Sequence, residues 1–390
     1  MIKKVQALIR GWLYQREKKS FDEKYRTVFK NAGSGIAVQP NRISGKSVAF
    51  VVRTINRFAG GITSVLRLGT YLSEHGYEVS YVVCNKGSLD KLRENAQGNL
   101  PGFKGSVLAL ENEDLNSYDC LIATHWITAY QIKNFSPYKM HFVQDYEPFF
   151  YQYSEIYHLA SEAYRFGFHI VSLGAWNASR IKAYNQVDKI DAVSFPYEPK
   201  EYVGTKARSY QSYLDSKEIN VCVYIKVIKK RCPDMLQMLL SELKTRFKNE
   251  GVNFNISYYG AAKEYRFSEG KNIGQLSSVQ LRELYNKSDL GFVFSLTNIS
   301  LIPYEMTASG LPVVELGFGS FDSFFPEGSA ILSGFDVDEL FKEIKTVLSS
   351  SRRTEQMVNR AYESMRGCTW EKTGQEFLQI IENLQSNNDN

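Results

Sequence analysis

Glu305 is the only charged residue in the stretch Ser295 to Gly310, S-L-T-N-I-S-L-I-P-Y-E-M-T-A-S-G. An apolar strand run, Asp289 to Phe294, leads into it. Pro303 suits the first turn of a helix, where its missing N–H costs nothing, and Gly310 supplies the stop. The amides of Ser300, Leu301, Ile302 and the residues up to Tyr304 would then face the strand's carboxyl end at a helix N-terminus, which favours phosphate. A lone acid one turn in could accept from a pair of ribose hydroxyls. The same residues also read as an ordinary strand, loop and helix with a solvated acid.

Two further groups carry chemistry. Val221 to Pro233, V-C-V-Y-I-K-V-I-K-K-R-C-P, is a strand ending in Lys226, Lys229, Lys230 and Arg231. Lys226 and Arg231 could clamp a diphosphate and stabilise the charge that a departing nucleotide diphosphate develops; the alternative is a solvated basic turn before a helix. Gln144, Asp145, Tyr146 and Glu147 follow another apolar run and suit sugar hydroxyls, with an aromatic-rich packed turn as the alternative. His125 also follows a strand end, and reads either as lining that acceptor side or as a structural histidine.

These residues need a scaffold that brings strand ends together. From Ser47 onward, apolar runs alternate with helical patterns, as in a parallel sheet covered on both faces. The expected strands are Ser47–Arg53, Glu78–Val83, Val107–Leu110, Cys120–Thr124, Met140–Val143, Phe168–Ser172 and Asp191–Ser194. Gly60 and Gly61 open a helix after the first of them, and Gly61 could let backbone approach a bound donor. A Pro/Glu/Lys-rich stretch, Pro196 to Lys206, reads as a linker. The alternation restarts with Asn220–Ile225, Asn253–Tyr259, Ile273, Leu290–Phe294, Pro312–Glu315 and Ala330–Leu332, and a helix over Trp370–Leu384 closes the chain. Tyr259 and Gly260, at a strand end, join the donor side. The expectation is an α/β protein of two doubly wound domains facing a central cleft, where ligands of open α/β sheets bind. Residues 1–43 form an extension, 44–200 an acceptor domain joined by the helix 370–386, and 207–369 a donor domain.

Composition agrees with two cores: 390 residues exceed one ordinary core, and 43% are hydrophobic. Five scattered cysteines without C-x-x-C spacing indicate neither a disulfide framework nor a zinc site. No apolar run approaches bilayer length and no secretory signal opens the chain, so a cytoplasmic protein is expected. Asp336-Val337-Asp338 spells D-x-D, yet it opens a helix and reads as a pair of N-terminal acids. The histidines lack metal spacing, so neither metal nor cofactor is expected, and no nucleic-acid partner.

The net charge of +5 is unevenly placed. In the first thirty residues Lys3, Lys4, Arg10, Arg16, Lys18, Lys19, Lys24, Arg26 and Lys30 face only Glu17, Asp22 and Glu23. Ile2, Val5, Leu8, Ile9, Trp12, Leu13 and Tyr14 recur between them, describing a basic amphipathic helix for an anionic membrane surface. A helix packed on its own protein and a disordered basic tail are the alternatives.

From Ser47 to Leu384 the chain resembles the retaining family 4 glycosyltransferases of GT-B architecture. That family has a Gly-Arg pair, with a Lys five residues after the Arg, following the second domain's first strand, and an E-x7-E motif before G-x-P-V-V. Here Lys226 stands in the Arg position, Arg231 in the Lys position and Glu305 in the second Glu position, and G-L-P-V-V (Gly310 to Val314) matches directly. Tyr71 to Val83, Tyr118 to Trp126 and C-T-W-E-K-T (Cys368 to Thr373) are similar to further family segments. H-F-V-Q-D-Y-E-P-F-F-Y (His141 to Tyr151) and Y-I-K-V-I-K-K-R (Tyr224 to Arg231) resemble runs in rhamnosyltransferases of bacterial surface-polysaccharide assembly, whose donor is dTDP-L-rhamnose.

The resemblance implies hexosyl transfer from a nucleotide sugar to a saccharide acceptor; the basic amphipathic first helix, if it lies on the membrane, would make the enzyme a peripheral protein working on a lipid-linked glycan at the inner face of the plasma membrane. Two departures stand out: the first Glu of E-x7-E is Thr297, and the family's Gly before the Arg is Ile225. They favour a front-face mechanism without a protein nucleophile, and they also suit a catalytically silent GT-B module that binds glycan or nucleotide sugar and docks an assembly complex.

Overall fold

The computed structural model describes residues 2–33, 35–57, 59–187, 189–198 and 209–386, with residues 2–8 described through their backbone. Most of the expected linker, 199–206, lies outside these residues. The chain divides into two compact units, Met1–Leu173 with Ala178–Ala192 and Gly374–Asn390, and Gly174–Asn177 with Val193–Thr373.

The first domain contains α1 (Ile2–Asn31), β1 (Ser47–Val52), α2 (Gly60–Glu74), β2 (Glu78–Val83), α3 (Leu89–Asn99), β3 (Ser106–Ala109), β4 (Cys120–Ala123), α4 (Trp126–Ile132), β5 (Tyr138–Val143), α5 (Glu155–Glu162), β6 (His169–Leu173), α6 (Ala175–Asn185) and β7 (Ile190–Val193). Its strands lie in the order β3-β2-β1-β4-β5-β6-β7. β1 pairs parallel with β2 on one side, Val48 opposite Val79, and with β4 on the other, Val48 opposite Cys120. Helices cover both faces, so β4 and β5 are buried at every residue; β4 reads as an unbroken apolar run, whereas β5 also buries Lys139 and His141.

The first helix differs from the expected single amphipathic face. Ile9, Trp12, Leu13 and Tyr14 are exposed, whereas Tyr25 and Val28 are buried in the domain core. Tyr25 stacks on Trp126 at 5.9 Å between ring centres, and Asn31 Nδ2 donates to the Tyr130 carbonyl at 2.8 Å. At ~100° per residue, Tyr25 lies roughly 160° round the axis from Ile9, so two short apolar faces point in different directions and no single stripe runs the length of the helix. The last turns of α1 are structural parts of the domain.

The second domain contains α7 (Tyr213–Ser216), β8 (Glu218–Tyr224), α8 (Pro233–Asn249), β9 (Asn253–Tyr259), β10 (Lys271–Asn272), α9 (Ser278–Lys287), β11 (Leu290–Phe292), α10 (Ile302–Ala308), β12 (Val313–Leu316), β13 (Ile331–Ser333), α11 (Val337–Leu348), α12 (Ser351–Ser364) and the start of α13 (Trp370–Ser386). Its strand order is β10-β9-β8-β11-β12-β13. From Gly374 onward α13 belongs to the first domain, where Phe377 packs on Phe50 and Phe142.

Both sheets reverse strand order at one place, β1 beside β4 and β8 beside β11. Open α/β sheets bind ligands at such a switch point, beyond the strands' carboxyl ends. The loops after β8 and β11 carry Lys226, Arg231 and Ser295 to Leu301; the segments after β1 and β4 carry Gly61 and His125.

Candidate active site

Tyr224, the last residue of β8, organises the second-domain site. Lys226 Nζ and Arg231 Cζ each lie 5.7 Å from the centre of its ring, so a strand end, a tight turn and a 3₁₀ turn (Lys229–Arg231) bring the two expected cations to one aromatic face or edge. The turn begins at once, Ile228 N donating to the Lys226 carbonyl at 2.8 Å. Lys229 points elsewhere, bridging exposed Asp234 at 3.1 Å. Gly260, with φ +98°, packs against the same ring: a Cβ there would come within 2.7 Å of Tyr224. The glycine is therefore required both by its backbone and by the close approach.

Arg231 is buried, and its Nη1 donates to the Phe294 carbonyl at 3.2 Å and to Ser295 Oγ at 2.5 Å. Leu296 N donates to the Lys230 carbonyl at 3.1 Å, tying the basic turn to the loop after β11. Within that loop the Ser300 hydroxyl is buried without a hydrogen-bond partner. Leu301 precedes α10, whose residues Ile302 to Ala308 are all buried. Pro303 occupies the first turn and Gly310, at φ +72°, follows the end, as their types require.

Glu305 is likewise nearly buried. Tyr285 of α9 donates to its Oε2 at 3.5 Å and is 2.9 Å from the Tyr259 hydroxyl. Burial pushes both phenols well above their ordinary range, so they stay neutral and serve as hydrogen-bonding groups. Tyr259 departs from the donor-contact expectation: its ring is buried, 5.5 Å from that of Tyr224, and its hydroxyl is engaged by Tyr285.

In the first domain, His125 caps α4. Its Nδ1 accepts from Ile127 N at 3.1 Å, which puts the ring proton on Nε2, 3.4 Å from Glu147 Oε1. Burial, and then the neighbouring Arg53, His141 and Lys24, hold the imidazole well below its usual range, so it is neutral. Glu147 Oε2 accepts from Trp126 N at 2.6 Å. Gln144 Nε2 donates to the Gly61 carbonyl at 3.0 Å, joining two residues expected on opposite sides of the chemistry. Asp145 is nearly buried. Tyr146 is a correction: it is fully buried, stacked on Tyr164 and Tyr184, and its hydroxyl donates to Asn185 Oδ1 at 2.9 Å. A phenol held that way is not presented to a sugar.

Thr297 is buried where the resemblance places an acid. Of the D-x-D pair, Asp336 caps α11, accepting from Glu339 N at 3.0 Å, and Asp338 pairs with Arg246. Among the described residues no group of three His, Cys, Asp or Glu is placed to hold a metal ion. Sequence reading missed Tyr224, Tyr285 and Glu315. The first two look like core aromatics, and the third looks like the polar member of an edge-strand alternation.

A family described as glycosyl transferase-like matches residues 231–379, the greater part of the second domain and the start of α13. Compared by sequence with curated proteins, the chain has no match. Among solved structures it is similar to HepE of Anabaena in complex with UDP and glucose, at TM-score 0.65 and 11% identity over 87% of this chain and 100% of that one. It is also similar to a TarM variant of S. aureus in complex with fondaparinux, alpha-GlcNAc-glycerol and UDP (TM-score 0.64, 9% identity, 86% and 100% covered). A third is sucrose-phosphate synthase of Thermosynechococcus elongatus (TM-score 0.64, 12% identity, 87% and 99% covered). The chain has their fold, GT-B, with two Rossmann-like parallel-sheet domains.

Proposed function

We propose that the protein is a glycosyltransferase that moves L-rhamnose from dTDP-L-rhamnose to a saccharide acceptor with retention, in the synthesis of a cell-surface polysaccharide. The observation that carries this reading is the convergence of Lys226, Arg231 and Gly260 on Tyr224 at the switch point of the second domain. Two cations there oppose the charge that grows on a leaving nucleotide diphosphate. Glu305, with its carboxylate steadied by Tyr285, accepts from ribose hydroxyls. The family match over residues 231–379 supports glycosyl transfer, and the UDP held by HepE and TarM supports a nucleotide-sugar donor. Rhamnose rests on the resemblance of His141 to Tyr151 and of Tyr224 to Arg231.

With Thr297 in place of an acid, the leaving phosphate takes the acceptor's proton on the face from which it departs, and no glycosyl-enzyme forms. Neither metal nor cofactor is needed. Neutral His125, with Glu147 and Asp145, positions the acceptor. Thr297 and Ile225 also motivate a second reading, a silent module that binds nucleotide sugar or glycan without transfer. Incubation with dTDP-L-rhamnose, UDP-glucose and rhamnosyl acceptors, followed by mass spectrometry, separates the two: the transferase releases dTDP and extends the acceptor, and the module does neither.

The acceptor is a lipid-linked glycan at the cytoplasmic membrane face. No helix among the described residues is long and apolar enough to cross a membrane. Ile9, Trp12 and Leu13 of α1 are exposed beside Arg10, Arg16 and Lys19, which suits peripheral contact with anionic lipid.

A further inference from the structure

Glu315, in the middle of β12, is completely buried, an unusual place for a carboxylate. Its Oε1 accepts from Ser295 N at 2.6 Å and from Leu316 N at 3.0 Å, while Oε2 is buried without a hydrogen-bond partner. Ser295 is held from three directions. Glu315 takes its N–H, Arg231 donates to its hydroxyl, and its carbonyl lies so close to Gly319 that no side chain fits there. Arg231 contributes a compensating positive charge beside the buried carboxylate. A carboxylate kept in a core requires such partners, and a leucine or valine would fill the strand position without them.

We infer that Glu315 is a positioning residue that fixes Arg231 for the donor diphosphate by clamping Ser295. The inference rests on the transferase reading for its consequence in catalysis and on geometry alone for the clamp. Glu315 touches no substrate and acts only through Ser295 and Arg231. The Phe294 carbonyl gives Arg231 a second anchor, so losing the clamp loosens the guanidinium without releasing it.

Glu315→Gln keeps an acceptor for Ser295 N, whereas Glu315→Ala removes it. Hydrogen exchange followed by mass spectrometry on peptides spanning 293–298 tests the clamp without any donor: exchange speeds up in Glu315→Ala and stays near wild type in Glu315→Gln. Donor kinetics test the consequence. Glu315→Ala lowers the donor kcat/KM about 10-fold or more, with Glu315→Gln restoring most of it, while acceptor KM holds. Unchanged exchange in Glu315→Ala, or an unchanged donor kcat/KM in an active Glu315→Ala enzyme, overturns the inference. If the wild-type protein consumes no nucleotide sugar, the transferase reading fails, while faster exchange in Glu315→Ala, reversed by glutamine, still supports the clamp.

Discussion

Lys226 and Arg231 hold their cationic ends at the same distance, 5.7 Å, from the centre of one ring, that of Tyr224. Their environments differ: Lys226 is half-buried, whereas Arg231 is buried and bonded to Phe294 and Ser295. Lys226→Ala and Arg231→Ala should each lower turnover by roughly 10²-fold, because each removes a charge opposing the leaving diphosphate. Thermal unfolding separates them, with a lowered Tm for Arg231→Ala, which orphans a buried carbonyl and hydroxyl, and a near-normal one for Lys226→Ala. Near-normal turnover in both variants would refute the donor clamp.

Glu305→Gln should raise the donor KM more than it lowers kcat, since a carboxylate accepting from ribose hydroxyls acts alike on ground and transition states. Tyr285→Phe, which removes the donor steadying that carboxylate, should move KM in the same direction and less far. A sharp loss of kcat at unchanged KM would place Glu305 at the reacting centre.

Gly260→Ala should destabilise the fold by about 1–3 kcal/mol, since it forces a side chain into left-handed backbone and against the Tyr224 ring. Gly61→Ala is the control. A Cβ there meets Gln144 at 3.4 Å, an ordinary contact, and its Tm should stay near wild type. Equal Tm values for the two variants would contradict the close packing at Tyr224.

Most strand cores were legible from the sequence: β2 and β9 match the expected ranges residue for residue, because β2 is mostly apolar and buried after Glu78, and β9 alternates buried Phe254, Ile256 and Tyr258 with polar residues. Glu305, Pro303 and Gly310 were legible through turn and helix-end chemistry. Tyr285 and Glu315 were not, since their partners Glu305 and Ser295 lie 20 residues away in sequence, and Tyr224 was not, since residue types alone do not show that the following turns fold Lys226 and Arg231 onto its ring. Tyr146 failed for a related reason: an aromatic beside a strand end suits a binding surface and a core equally, and Asn185, distant in sequence, decides between them.

The Glu315 carboxyl gives a pH dependence of stability. Burial raises its pKa from 4.5 to about 7, against the opposing pull of the Leu316 N–H, Arg231 and Ser295. The folded state holds the proton more tightly than the unfolded chain, so this contribution to stability is complete below about pH 4.5 and is lost as pH rises through about 7. The Tm of the wild type should therefore fall relative to Glu315→Gln between pH 5 and 8. Parallel Tm curves would show that Glu315 does not titrate there.

Deleting residues 1–20 should abolish salt-sensitive flotation with anionic vesicles while leaving transfer to a soluble acceptor largely intact. Tyr25 and Val28, which anchor α1 to the domain, remain in that variant. No flotation of the intact protein at low or high salt would remove the membrane role.

The central claim is tested most directly by following dTDP-L-rhamnose and a saccharide acceptor with the wild-type protein by proton NMR. The expected result is dTDP release that depends on the acceptor and a new anomeric signal of the same configuration as the donor's. No consumption of this or any other nucleotide sugar would contradict transfer, and an inverted product would contradict the front-face mechanism.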